Sequence, residues 1–145
     1  MSSPDPASAV RDCRRLTLPV FADARGSLSF AEGCGEIPFA IARVFYMHGV
    51  PSGARRGEHA HRETSIALFA LAGAVDVLLD DGRAKATLRL DRPHEGVLIG
   101  PWVWHELERF APGTVCLALA SRRYAESDYL RDYGEFVREN AARPA

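Results

Sequence analysis

A chain of 145 residues has the length of one domain, and 47% hydrophobic with 26% charged residues is ordinary globular composition, which excludes a disordered chain. Eighteen basic against nineteen acidic residues leave a net charge of -1, so no global field draws the protein to nucleic acid or to a membrane surface. No apolar run approaches the roughly 20 residues of a membrane-spanning helix, and the first dozen residues lack the apolar stretch of a secretory signal. The expectation is a cytoplasmic protein.

Residues 1–15, rich in Pro, Ser, Ala and Asp without periodicity, read as a flexible arm or an edge strand. From Leu16 onward the chain consists of short apolar or alternating runs: LTLPVF, SLSF, PFAIARVFYM, TSIALFALAG, AVDVLLDDG, KATLRLDRP, GVLIGPWVWHEL and GTVCLALAS. Each ends in or is followed by turn residues, which is the cadence of an all-β sandwich or barrel. Asp80-Asp81-Gly82 between two alternating runs predicts a tight hairpin, because Asp-Gly accepts the positive φ angles such turns need. Only the tail breaks the rhythm. Tyr129, Tyr133 and Phe136 stand at helical spacing behind Ser127 as a cap, and Gly134 interrupts them, so two short helical pieces are expected. The domain plan is an arm over 1–15, a β-domain with a closing helix over 16–137, and a tail over 138–145.

Covalent chemistry finds little support. Cys13, Cys34 and Cys116 form no CxxC pair and are expected to be reduced and structural. The single Lys, Lys85, falls in a turn-to-strand segment and is a poor Schiff-base candidate.

The informative segment is RRGEHAH, residues 55–61. On a strand, His59 and His61 project to the same face about 7 Å apart and can converge on one bound molecule. Two such imidazoles suit proton transfer or metal binding. A third, His105, follows Trp102 and Trp104 at the end of a Gly/Pro-rich turn.

An HxH pair followed by such a turn ending in His resembles the two cupin motifs, in which a small β-barrel brings three His and one Glu to a divalent metal. Ser65 and Ile66 stand where the Glu would be, leaving only three imidazoles. The run RVFYMHGVPSGARRGEHAHRE, the Gly at 73, LLDDG at 78–82, GVLIGPWVWHEL and the closing LASRRYAESDYLRDYGEF together resemble the nucleotide-sugar 3,4-ketoisomerases, small cupins, over residues 16–137. That resemblance implies a cupin-type jelly-roll barrel without metal or other cofactor. In it His59 and His61 move the keto group of dTDP-4-keto-6-deoxyglucose from C4 to C3, in homodimers formed partly by exchange of N-terminal strands.

Substrate-binding candidates are Arg56 and Arg25 for the pyrophosphate, Tyr46 and Trp104 for the sugar or base, and His105. Trp104 should face outward if His105 faces in. Tail residues Asp128, Tyr129, Arg131 and Tyr133 match the family ending and read as structural, covering a sheet edge or lidding the barrel. Ile66 and Glu58 depart from the family pattern: Ile66 would weaken hydrogen-bonded support of the histidines if it faced the cavity, whereas Glu58 should point away from them. Two alternatives stay open, a metal-dependent cupin enzyme using His59, His61 and His105, and a non-catalytic sugar-nucleotide binding module.

Overall fold

The computed structural model describes residues 5–144. In chain order the strands are β1 (Cys13–Thr17), β2 (Val20–Asp23), β3 (Gly26–Ser29), β4 (Arg43–Met47), β5 (Arg56–His61), β6 (Ile66–Ala72), β7 (Val75–Asp80), β8 (Lys85–Leu90), β9 (Glu95–Ile99), β10 (Trp104–Glu108), β11 (Val115–Ala120) and β12 (Tyr129–Leu130), followed by helix α1 (Tyr133–Ala142). Two five-stranded sheets, ordered β1-β9-β6-β11-β4 and β12-β5-β10-β7-β8, carry the fold, and β2 and β3 form a separate hairpin. All strand pairings are antiparallel. The architecture is the all-β jelly roll expected of a cupin.

The apolar runs become strands because their alternate residues fill the space between the sheets. Ile66, Leu68, Val97 and Ile99 from one sheet meet Val77, Leu79, Leu88 and Leu107 from the other in a single buried cluster. The predicted run GVLIGPWVWHEL is two strands, β9 and β10, in different sheets, joined by a turn in which Trp102 takes φ +60°. LTLPVF is likewise split at Pro19, which has no N–H to give a ladder. The Asp80-Asp81-Gly82 hairpin forms between β7 and β8 as predicted, with Gly82 at φ +93° and the Asp81 carboxylate accepting the amides of Arg83 and Ala84. All three cysteines are free thiols; Cys13 and Cys116 are buried and Cys34 is exposed.

The N-terminal segment is tied down where it is described: Ala7 and Val10 are buried, and β1 is an edge strand paired with β9. Residues 1–4 of the expected arm, and Ala145 of the expected tail, lie outside the described residues.

The tail differs from the expectation of two helical pieces. Glu126–Asp128 is a single 3-10 turn, Tyr129–Leu130 is a strand, and only Tyr133–Ala142 is helical. Asp132, not Ser127, caps the helix, its carboxylate accepting the Glu135 amide at 2.9 Å. Gly134 then falls in the first helical turn and breaks nothing. The open edge of β5 overrides the helical spacing of Tyr129, because β12 satisfies backbone groups there that would otherwise be unpaired. Phe136, fully buried, anchors α1 beside Leu130 and Trp104, and Arg62 ties the tail to the barrel by donating to the carbonyls of Ser127 and Tyr129 and pairing with Glu139. Among the described residues no helix is long and apolar enough to cross a membrane.

Candidate active site

The histidines owe their positions to a defect in the ladder between β5 and β10. His105 pairs with His59 and Glu106 with Gly57, so Glu58 has no partner and forms a bulge. Gly57 and Glu58 both take positive φ, +79° and +60°. A Cβ at Gly57 would stand 3.0 Å from the His105 carbonyl oxygen, a second reason for glycine there. Beyond the bulge, alternation turns His59 and His61 to the interior, and Glu58 faces an outer groove with Trp104 and Glu106.

His59, His61 and His105 form one cluster. Ring centroids lie 4.7 Å apart for His59–His105, 5.0 Å for His59–His61 and 5.7 Å for His61–His105. They line a small cavity of about 80 Å³ whose other walls include Phe45, Met47, Ile66 and Leu68, with Arg56 also on the lining. His61 and His105 are buried, at 2% and 5% exposure.

Each ring is held by its Nδ1. His59 donates to the Gly57 carbonyl at 3.0 Å, His105 to the Val103 carbonyl at 3.1 Å, and His61 to the Asp128 carboxylate at 3.1 Å. These acceptors require the hydrogen on Nδ1, so each neutral ring presents Nε2 as a lone pair. Asp128 also accepts the Thr64 hydroxyl and the Glu63 amide. Burial alone would raise its pKa, but these bonds and the one from His61 outweigh burial and hold it below the usual carboxylate value. Asp128 is therefore an anion that fixes the His61 tautomer, a role the reading of the tail as purely structural missed.

All three imidazoles resist protonation. Burial, then the charge of His61, pushes His59 down to about 4. Burial lowers His61 against the pull of Asp128, and burial with its two neighbours drives His105 well below the ordinary value. The unfolded chain binds these protons near pH 6.5, the folded chain only at lower pH, so the unfolded state holds more protons between about 6.5 and 4. Stability is thus expected to fall as pH drops through that window, and kcat/KM to keep a flat profile until well below 6.5. Melting temperatures and rates measured from pH 8 to 4 check both; an acid limb at 6.5 contradicts the neutral trio.

The other candidates divide. Arg56 lies on the cavity lining. Tyr46 does not: Phe45 and Met47 line the cavity, so by alternation Tyr46 points out of the barrel, 63% exposed. Trp104 is on the face opposite His105, buried against Tyr133 and Phe136 at centroid distances of 5.3 and 5.9 Å, and its indole donates to Glu106. Neither side chain reaches the histidine cavity of its own chain. Arg25 sits in the β2–β3 turn, its side chain 90% exposed and paired with Asp23 at 2.7 Å. Ile66 does face the cavity, and support for His61 comes instead from Asp128. Arg43, not singled out from sequence, donates to the Tyr129 hydroxyl at 3.3 Å, and its Nε is buried without a partner among the described residues.

Three of the four ligands of a cupin metal centre are present, for one nitrogen of each imidazole lies within 4.8 Å of one from each of the others. A divalent ion there would be held by His59, His61 and His105 and would supply Lewis-acid polarisation of a carbonyl. Among the described residues the cavity lining holds no carboxylate to complete the set.

Paired inward histidines on β5 and a third on the neighbouring strand β10 give the jelly roll the site of a cupin. The family described as "FdtA: WxcM-like, C-terminal" matches residues 11–141. The TDP-4-oxo-6-deoxy-alpha-D-glucose-3,4-oxoisomerase of Aneurinibacillus thermoaerophilus is 42% identical over 114 residues, 79% of this chain and 82% of that one. A 3,4-ketoisomerase from Helicobacter canadensis superposes with TM-score 0.87 at 38% identity, over 90% of this chain and 98% of its own. The 3,4-ketoisomerase QdtA of Thermoanaerobacterium thermosaccharolyticum, a histidine-to-asparagine mutant in complex with TDP-4-keto-6-deoxyglucose, superposes with TM-score 0.90 at 34% identity over 92% and 97%. The chain belongs to this FdtA-like family of sugar 3,4-ketoisomerases.

Proposed function

We propose that the protein converts a TDP-4-keto-6-deoxyhexose to its 3-keto isomer with His59 and His61 as the proton carriers. The observation that carries this is the pair of imidazoles, His61 buried and His59 half-buried, each with Nδ1 engaged and Nε2 left as a lone pair on one small cavity. A 4-keto sugar has an acidic hydrogen at C3. One imidazole removes it while the C4 oxygen gains a proton, which gives an enediol between C3 and C4. Loss of the O3 proton and protonation of C4 then complete the shift. Two bases suit this sequence because protons move at both carbon and oxygen. Arg56, and Arg25 from a second copy, are assigned to the pyrophosphate, where a guanidinium offers paired donors. Incubation with TDP-4-keto-6-deoxyglucose, followed by NMR, should show a 3-keto product; recovery of unchanged substrate overturns the assignment.

The same reading makes the protein a cytoplasmic homodimer. Every residue of the β2–β3 hairpin is exposed, with Phe21 and Leu28 at 61% and 60%. An apolar ribbon of this kind needs a partner surface, and docking on a second copy would carry Arg25 off its own barrel. Replacing Phe21 and Leu28 together by Asp is expected to give a monomer in size-exclusion chromatography with light scattering. A dimer that persists in this variant removes the hairpin from the interface.

A further inference from the structure

Outside the histidine cavity the molecule has a larger pocket, about 640 Å³, where its tail meets the barrel. It lies between the turn before β1, the tip of the β7–β8 hairpin, the turn before β10 and the end of α1, and it shares no lining residue with the histidine cavity. Three of these segments each contribute a guanidinium: Arg11, Arg83 and Arg143. Among the described residues, Arg83 and Arg143 have no carboxylate partner. Arg11 reaches only Asp12, at 3.8 Å, and with side chains 62% and 64% exposed that pair is worth little in water. Asp81, the other acid of the pocket, is engaged by backbone, accepting the amides of Arg11, Arg83 and Ala84. Three cations against two anions leave the pocket positive.

Arg143 is held ready. Its guanidinium lies 4.3 Å from the Trp102 ring centroid and donates to Asn140 at 3.2 Å, while Asn140 donates to the Asp81 carbonyl at 2.7 Å. A fork fixed this way loses little freedom when it takes an anion. Burial, then the charge of Arg11, lowers the pKa of Arg143, so like charges repel across the seam between tail and barrel.

We propose that this seam binds a diphosphate, free or as part of a nucleotide, which bridges Arg143 of the tail to Arg11 and Arg83 of the barrel. Guanidinium forks match phosphate oxygens in pairs, and three of them suit two linked phosphates. Bound there, the anion turns a repulsive seam into a clamp on α1 and favours the docked tail. The Trp102 amide also donates to the His61 carbonyl at 2.7 Å, which joins the pocket wall to the end of β5. The site stands apart from the isomerase assignment and is tested without turnover.

Full-length protein is titrated calorimetrically with inorganic pyrophosphate. The double variant Arg83→Gln with Arg143→Gln, confirmed folded by circular dichroism, should bind one equivalent fewer per chain than the wild type. Each single variant should weaken that equivalent tenfold or more, since a hydrogen bond to a charged group contributes on that order. Arg14→Gln with Arg92→Gln removes the same charge from exposed positions off the pocket and should bind as the wild type does, as should Arg56→Gln at this site. Hydrogen exchange of the α1 amides should slow on binding in the wild type and not in the Arg83, Arg143 variant. Equal half-saturation by pyrophosphate and TDP in that exchange identifies free diphosphate as the ligand, and tighter TDP identifies a nucleotide. Unchanged stoichiometry and affinity in the double variant overturn the site, as does equal weakening by the Arg14, Arg92 control. Binding that leaves α1 exchange unaltered overturns the clamp.

Discussion

Replacing either His59 or His61 by Asn is expected to lower turnover by about 10²-fold or more, because a positioned proton carrier contributes on that order. The wild-type reaction run in deuterium oxide should place deuterium in the product, since an imidazole that lifts a carbon-bound proton exchanges it with solvent. Asn preserves shape and one polar contact but cannot carry a proton at Nε2, so the loss should fall mainly on kcat. Full activity in both single variants would falsify the proton-transfer assignment. Retained binding of TDP-sugar together with no effect of His61→Asn on any measured property would leave a binding module.

Asp128→Asn should have the second largest effect. One carboxylate oxygen of Asp128 accepts the Glu63 amide at 2.7 Å, while the other accepts both His61 Nδ1 and the Thr64 hydroxyl. An amide can satisfy only one side: with its oxygen toward Glu63, its NH₂ faces His61 and demands a lone pair on Nδ1. The ring then carries its hydrogen on Nε2 and is no longer a base toward the cavity. Turnover should drop by about 10²-fold, since the wrong tautomer in a comparable His–Asp pair costs even more. Stability should fall by about 1–3 kcal/mol from unmatched buried groups. The readout that separates tautomer from simple loosening is the nitrogen-15 NMR signature of His61, which should change from Nδ1–H to Nε2–H. An unchanged signature with full activity would remove Asp128 from the mechanism.

Much of this arrangement was legible in the residues. The strands announce themselves because sheet burial has period two, and the same period puts His59 and His61 on one face and Trp104 opposite His105. Tyr46 was not, because the inward face of β4 is chosen by its register with β11, where Leu117 lies opposite Tyr46, and no local pattern encodes that pairing. Asp128 was hidden for a related reason: it stands 67 positions from His61 and meets it only through the pairing of β12 with β5. The helical spacing of the tail aromatics pointed the other way. Arg43 offered no sequence signal beyond its place in a matched run, since its contact with Tyr129 also spans the chain.

The pairing of β12 with β5 joins two properties that most enzymes keep apart. The three residues Asp128, Tyr129 and Leu130 cover the end of the β5 edge, bury Leu130, and deliver the carboxylate that sets His61. A molecule nicked or frayed before residue 128 loses edge, packing and tautomer at once. Activity therefore depends on docking of the tail: the His61 tautomer is set only when β12 lies on β5.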